Sequence, residues 1–295
     1  MPGPALWRPD GQRDRKLMAA ALKSPNPDGL MLRLISALVL IPAGLFVVWA
    51  GGYVLLIAGL ACAALMWSEF WTVTTKDPRS PMFLCVGGIL LCALGLAATG
   101  LVSVLVALIA LVSLTTGLMV VLKTPKRAWL LLGVCVIFGA VMGLIELRGV
   151  SMTGLFMTIV VMTSVWATDI SAYFAGRGFG GPQLAPRGSP NKTWSGAAGA
   201  VICTALIGAL ASGILEGSLM NWVFFTAGVS VIGQLGDLAE SLWKRQFNVK
   251  DSGALIPGHG GILDRLDSFS AVLLVLAILF SIFPDFPDTF LGLGE

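Results

Sequence analysis

Residues 236–267 read GDLAESLWKRQFNVKDSGALIPGHGGILDRLD, and the chain continues directly into the apolar run SFSAVLLVLAILFSIF at 268–283. The first stretch holds five of the 16 Asp and Glu of the chain, four of its 19 Lys and Arg, and its one histidine, His259. The second approaches the ~20 apolar residues that a helix needs to cross a hydrocarbon core of ~30 Å. The junction therefore indicates a charged segment at the edge of a membrane.

The charged segment carries four polar side chains at the spacing of one helix face, namely Asp237, Glu240, Ser241 and Lys244. A glycine-rich loop at 253–261 follows, and then Asp264 and Asp267, again three residues apart. Carboxylates on two helix ends, joined by a loop of accessible backbone N–H groups, are suited to hold a metal-bound polyphosphate. The alternative is a solvated loop between two membrane helices, which would require neither this spacing nor this much glycine.

The composition of the whole chain indicates a polytopic membrane protein. A mean hydropathy of +0.88, with 56% hydrophobic and 12% charged residues, excludes an ordinary soluble domain. Nine apolar segments are predicted to span the membrane: 34–50, 54–72, 82–98, 102–122, 129–145, 154–174, 196–214, 221–238 and 268–283. The predicted fold class is therefore all-α, with about nine transmembrane helices.

The basic residues predict the orientation of these helices. With a cytoplasmic amino terminus, nine spans place all of the 19 Lys and Arg except Arg148 on the cytoplasmic side, which is the positive-inside pattern. The carboxyl terminus then lies outside. The net charge of +3 follows from this sorting and does not predict a nucleic-acid partner.

The same topology divides the chain into four segments. We expect a cytoplasmic tail at 1–33, amino-terminal transmembrane helices at 34–150, a carboxyl-terminal transmembrane part with the functional loops at 151–284, and a short tail at 285–295. Within the second segment, Gly139 and Gly143 have the spacing that allows two helices to approach closely. Glu69, near the cytoplasmic end of the second span, either lines a polar cavity or reaches toward the interface.

The sixth span and the loop after it contain a second group of polar residues. Asp169 lies within the apolar run, where an ionisable side chain is a functional candidate. Residues 176–181, GRGFGG, match a dinucleotide-binding pattern, but that motif requires a preceding strand, so the match is discounted. Glycines beside Arg177 still suit phosphate contact through backbone N–H groups. Thr193 or Ser195 is the predicted N-cap of the seventh span, which would place Lys192 at a helix amino terminus, where anions bind.

At the carboxyl-terminal motif the sequence resembles the phosphatidate cytidylyltransferases, also called CDP-diacylglycerol synthases. The residues that carry the resemblance are Ser241, Lys244, Arg245, Lys250, Asp251, Pro257, His259, Gly260, Gly261, Asp264, Arg265 and Asp267. The clear resemblance covers roughly residues 165–270, and the first half of the chain matches only in its general hydrophobic character.

The resemblance implies a reaction of CTP with phosphatidate that gives CDP-diacylglycerol and diphosphate with Mg²⁺, in phospholipid biosynthesis. A lipid phosphate is already an anion, so the site must supply positioning and charge neutralisation more than a strong base. Asp237 and Asp264 are the first choices as ligands of one or two cations. The expected catalytic set is Asp237, Ser241, Lys244, Asp264 and Asp267. Expected substrate-binding residues are Arg177, Lys192, Arg245, Lys250, His259, Gly260, Gly261 and Arg265, whereas Asp169 and Glu240 are expected to act through these residues.

Two other functions are weighed against this one. The nearer is another CTP-dependent membrane lipid enzyme, such as a polyprenol kinase or an archaeal-type lipid cytidylyltransferase. The other is a transporter, which would need polar residues spread through the membrane depth, whereas here they gather at one side. The favoured interpretation is a multi-pass enzyme of the cell inner membrane with its site at the cytoplasmic face. A second cation and a homodimer are left open.

Overall fold

The computed structural model describes residues 27–77, 80–123, 126–186, 188–256 and 260–292. Residues 1–26 of the predicted tail and His259 lie outside these ranges. The predicted tail at 1–33 ends inside a helix, because the first helix already begins at Pro27. The predicted carboxyl-terminal tail contains one short helix, Phe286–Leu291.

The described ranges form an all-α bundle with one small hairpin, which confirms the predicted polytopic class. Within these ranges eight helices are long and apolar enough to cross a membrane, one fewer than the nine predicted spans, because the apolar run of the first helix, Leu38–Ala50, is shorter. The elements in chain order are α1 Pro27–Ala50, α2 Gly52–Thr75, α3 Pro81–Ala98, α4 Val104–Val121, α5 Arg127–Arg148, α6 Met152–Phe179, β1 Gln183–Ala185, β2 Ser189–Thr193, α7 Trp194–Ile214, α8 Leu219–Gln246, α9 Leu263–Ile282 and α10 Phe286–Leu291.

Side-chain caps fix where several of these helices begin. Ser151 Oγ accepts a hydrogen bond from Gly154 N at 3.0 Å at the start of α6. Thr193 Oγ1 accepts from Gly196 N at 3.2 Å at the start of α7. Each cap satisfies a backbone N–H that the first turn of a helix leaves unpaired. Thr193 is therefore the N-cap of the seventh span, one of the two residues predicted.

The two predicted glycines bring α5 and α9 into close contact. A Cβ atom at Gly139 would collide with the side chain of Leu274, and one at Gly143 would collide with the backbone of Leu273. Small residues at such positions let helix backbones approach closely within a membrane. This contact packs the last long helix against the amino-terminal half of the chain.

Arg148, the one basic residue predicted to lie outside the cytoplasm, is bound to the backbone. Its side chain is 7% exposed and donates to Val48 O at 2.6 Å, Trp49 O at 3.2 Å and Ser151 O at 3.1 Å. It therefore satisfies carbonyl groups at the end of α1 and at the turn between α5 and α6. Pairing with these carbonyls gives the exception to the charge pattern a structural reason.

A short hairpin lies between α6 and α7. Strands β1 and β2 are antiparallel, with Gln183 opposite Thr193 and Ala185 opposite Ser189. No strand was predicted in this loop, because strands of three and five residues carry too little alternating pattern to be recognised. The hairpin carries Lys192 to the end of the bundle where α8 and α9 meet.

Candidate active site at one end of the bundle

Helix α8 continues to Gln246, two turns beyond the predicted end of its span at residue 238. The extension is stabilised on one side by Trp243, which is 3% exposed and stacks on Phe70 of α2 with ring centroids 4.5 Å apart. Phe247 follows in the same apolar cluster. Glu240, Ser241 and Lys244 lie on this extension and Asp237 lies just before it, so the packing of Trp243 and Phe247 fixes which way these four predicted polar residues face.

Three carboxylates meet at this end of the bundle. Each of Asp237, Glu240 and Asp267 offers an oxygen, and these oxygens lie within 4.8 Å of one another. Both Glu240 oxygens are buried and lack a hydrogen bond of good geometry to any described residue, although Lys244 Nζ lies 2.7 Å from Oε2. Three converging carboxylates suit a hard divalent cation that prefers oxygen ligands. The donor set therefore fits a metal such as Mg²⁺.

Asp264, the second predicted metal ligand, has other partners in the structure. Its Oδ1 lies 2.8 Å from Lys244 Nζ. Its Oδ2 accepts from the backbone N–H groups of Ser252 and Gly261, each at 2.9 Å. Asp264 thus holds the glycine-rich loop and Lys244, while Asp267 and Glu240 join Asp237 in the acidic group.

Three further predicted residues interact with Asp237 of the acidic group. Lys192 of β2 forms an ion pair with Asp237, and Ser241 Oγ lies 3.4 Å from the other Asp237 oxygen. Asp169 of α6 is exposed at the same end and interacts electrostatically with Asp237, Lys192 and Arg265. The structure therefore brings together polar residues from α6, β2, α8 and α9.

Most of the remaining predicted substrate-binding residues are exposed in the structure. Arg177 is exposed and donates to Tyr173 OH at 2.7 Å. Arg245 is exposed in the last turn of α8, Lys250 is exposed beyond its end, and Arg265 is exposed on α9. Gly260 has φ +86, a backbone conformation that favours glycine. Their roles stay predictions, as does that of His259, which lies outside the described residues.

Glu69 also lies at this end of the bundle, although its partners could not be predicted from the sequence. Its carboxylate accepts hydrogen bonds from Ser252 and from the first residues at the start of α9. Neither expectation for Glu69, a cavity lining or a free reach to the interface, describes this arrangement. The one sequence signal was an acid placed at the end of an otherwise apolar span.

Comparison with known proteins gives the class of the molecule. The sequence model of the cytidylyltransferase family matches residues 31–283. The phosphatidate cytidylyltransferase of Brucella abortus biovar 1 (strain 9-941) is 38% identical over 253 residues, which cover 82% of this chain and 90% of that protein. The chain therefore belongs to the cytidylyltransferase family. Membership in a family of nucleotidyltransferases decides against the transporter alternative.

Two other relatives match a smaller part of the chain. The phosphatidate cytidylyltransferase of Haemophilus influenzae (strain ATCC 51907 / DSM 11121 / KW20 / Rd) is 39% identical over 178 residues, 53% of this chain and 62% of that protein. That of Bacillus subtilis (strain 168) is 41% identical over 131 residues, 44% of this chain and 49% of that protein.

Proposed function

We propose that the chain transfers the cytidylyl group of CTP to phosphatidate, giving CDP-diacylglycerol and diphosphate. The similar proteins from Brucella abortus and Haemophilus influenzae are phosphatidate cytidylyltransferases, which supports this substrate pair. The observation that carries the proposal is the acidic group of Asp237, Glu240 and Asp267, which lies beside the ammonium groups of Lys192 and Lys244 at one end of the membrane helices. A lipid phosphate and a water-soluble nucleotide can meet only where such a site borders the bilayer.

In the proposed reaction an oxygen of the lipid phosphate attacks the α-phosphorus of CTP. The bond from this phosphorus to the oxygen that bridges the α- and β-phosphates breaks, and diphosphate leaves with that electron pair. The attacking group is already ionised, so the chain need only position two anions and offset their repulsion. Lys192 and Lys244 are suited to this role because each ammonium already lies beside a carboxylate of the site.

The acidic group would hold the divalent cation, which we propose to be Mg²⁺. When bound, the cation neutralises charge on the triphosphate. Asp237 is a proposed ligand from both the sequence and the geometry, and we add Glu240 and Asp267. Asp264, also predicted as a ligand, would have to release Lys244 or backbone N–H groups to bind a metal. A second cation and a homodimer remain proposals without a structural argument.

We propose the cytoplasmic face of the cell inner membrane as the location of the site. The support is the sorting of basic residues along the sequence. The four-part division of the chain also stays a proposal. The boundary between the second and third segments does not separate their functions, because Glu69 of α2 accepts a hydrogen bond from Ile262 in the loop before α9.

The test is an assay of the purified protein with CTP, phosphatidate and Mg²⁺ in detergent micelles. We expect diphosphate release that depends on all three components and that Asp237→Asn abolishes. In a parallel reaction with a lipid alcohol in place of phosphatidate, formation of CDP and a phosphorylated lipid would support a CTP-dependent kinase instead. Absence of any lipid product from well-folded protein would contradict the proposed substrate pair.

A further inference from the structure

The carboxylate of Glu69 is buried in the part of the loop that precedes α9. Glu69 is 8% exposed. Its Oε1 accepts from Ile262 N at 2.9 Å, and its Oε2 accepts from Leu263 N at 2.9 Å and from Ser252 Oγ at 2.8 Å. These partners lie 183 to 194 residues further along the chain. One side chain of α2 thus holds both ends of the loop that carries the glycine-rich motif.

Glu69 and Asp264 share one strip of backbone donors. The N–H of Gly261 points to Asp264, whereas the next two N–H groups point to Glu69. Ser252 also donates to both carboxylates, because its N–H binds Asp264 and its hydroxyl binds Glu69. A displacement of the strip away from Glu69 would therefore also move the donors that orient Asp264.

Glycines make room for this carboxylate. A Cβ atom at Gly253 would lie 2.7 Å from Glu69 Oε1, and one at Gly261 would collide with Glu69 Oε2 and Ser252 Oγ. A side chain at either position would push the carboxylate out of its donors. The requirement for glycine at these two positions is thus explained by Glu69 without a direct contact to substrate.

The effect of Glu69 can reach the acidic group through Lys244. Asp264 pairs with Lys244, and the same ammonium lies 2.7 Å from Glu240. A continuous set of hydrogen bonds and ion pairs therefore runs from α2 to the acidic group. The neighbouring stack of Phe70 on Trp243 fixes α2 against α8 in the same region.

We propose that Glu69 is a positioning residue for cytidylyl transfer, which holds the loop before α9 so that Asp264 can orient Lys244. The proposal rests on the proposed function of this site. Glu69 does not contact substrate in this account, and its role is to fix the strip of backbone N–H groups from Gly261 to Leu263. The role requires a carboxylate because every group that faces its two oxygens is a donor.

The test compares Glu69→Gln with wild type in two measurements. The amide of glutamine would turn an N–H₂ group toward one of these donors, so the loop should detach. We expect faster hydrogen–deuterium exchange in peptides that cover 252–263, with unchanged exchange in α5. We expect kcat to fall about a hundredfold, the cost of a misplacement of about 1 Å, while KM for CTP changes far less.

Glu146→Gln is the matched control, since Glu146 is a partly buried acid of α5 whose Oε2 has no hydrogen-bond partner in the described ranges. We expect it to leave kcat and loop exchange unchanged. Wild-type kcat in Glu69→Gln would overturn the proposal. Faster exchange throughout the bundle would also overturn it, because Glu69 would then stabilise the whole fold. The exchange measurement requires no activity, so its failure is distinct from failure of the proposed function.

Ser252→Ala provides a milder variant if Glu69→Gln does not fold. It removes the hydroxyl that binds Glu69 but keeps the N–H that binds Asp264. We expect a loss of kcat of about tenfold, smaller than in Glu69→Gln because only one of the hydrogen bonds to Glu69 is lost, together with faster exchange at 252–263. Wild-type exchange and kcat in Ser252→Ala would contradict the proposed path from Glu69 to Asp264.

Discussion

The Nζ atom of Lys244 lies 2.8 Å from Oδ1 of Asp264, and this contact joins the end of α8 to the first turn of α9. The two side chains are only 13% and 6% exposed. Because Lys244 also reaches Glu240, one ammonium links the glycine-rich loop to the acidic group. The chemistry proposed for the site depends on this link.

Lys244→Met should abolish turnover and lower thermal stability. The substitution leaves the Asp264 and Glu240 carboxylates without their cation, and removal of one partner from a buried pair costs about 3–5 kcal/mol. Thermal unfolding in detergent and initial rates of diphosphate release check both effects. Lys76→Met is the control, since Lys76 is exposed at the same end of the bundle. Equal activity in the two variants would exclude Lys244 from the site.

Asp267→Asn and Asp264→Asn should separate the metal ligands from the residues that hold the loop. Asp267→Asn removes a charge from the acidic group, so direct Mn²⁺ binding should weaken at least tenfold while the loop before α9 keeps its hydrogen-exchange protection. Asp264→Asn should expose that loop and change Mn²⁺ affinity less. The reverse pattern would restore Asp264 as the ligand predicted from the sequence.

Asp169 can be tested by its charge. Both Asp169→Asn and Asp169→Ala should reduce cytidylyl transfer about tenfold or more if the negative charge orients Lys192 or Arg265 toward phosphate. The Asn variant should keep its thermal stability, because its volume and polarity are nearly unchanged. Full activity in Asp169→Asn would leave Asp169 a role in helix packing alone.

The helix face of the site could be predicted from the sequence, whereas the roles of its acids could not. The spacing of Asp237, Glu240 and Lys244 follows the helical period, so their common face was predictable. The choice between Asp264 and Asp267 depends on which carboxylate meets the N–H groups of Ser252 and Gly261. The path of a loop leaves no periodic pattern in the sequence, so these contacts could not be predicted.

Contacts between residues that lie far apart in the sequence could not be predicted either. Glu69 meets Ile262 across 193 residues, and this contact arises because α2 packs on α5 and α5 packs on α9. The spacing of Gly139 and Gly143 indicated that α5 could approach another helix closely. It did not indicate that this helix is α9. Eight of the nine predicted spans correspond to helices of the described ranges that are long and apolar enough to cross a membrane. Their long apolar runs made them recognisable, whereas the short strands β1 and β2 were not.

Topology is tested by reporters fused at loops and at the carboxyl terminus. A reporter after Glu295 should lie outside the cytoplasm, whereas reporters within 123–127 or 176–194 should lie inside, since the basic residues predict that order. Alkaline phosphatase and a fluorescent protein, fused at the same positions, give complementary signals. A cytoplasmic carboxyl terminus would contradict the topology of nine spans.

The fate of the phosphates of CTP tests the central claim most directly. Purified protein is incubated with phosphatidate, Mg²⁺ and CTP labelled with ³²P at either the α- or the γ-phosphate, and the lipid products are separated. Cytidylyl transfer predicts that the α-label enters the lipid and the γ-label leaves as diphosphate, with neither event in Asp237→Asn. Label from the γ-position in the lipid, or equal transfer by Asp237→Asn, would contradict the account.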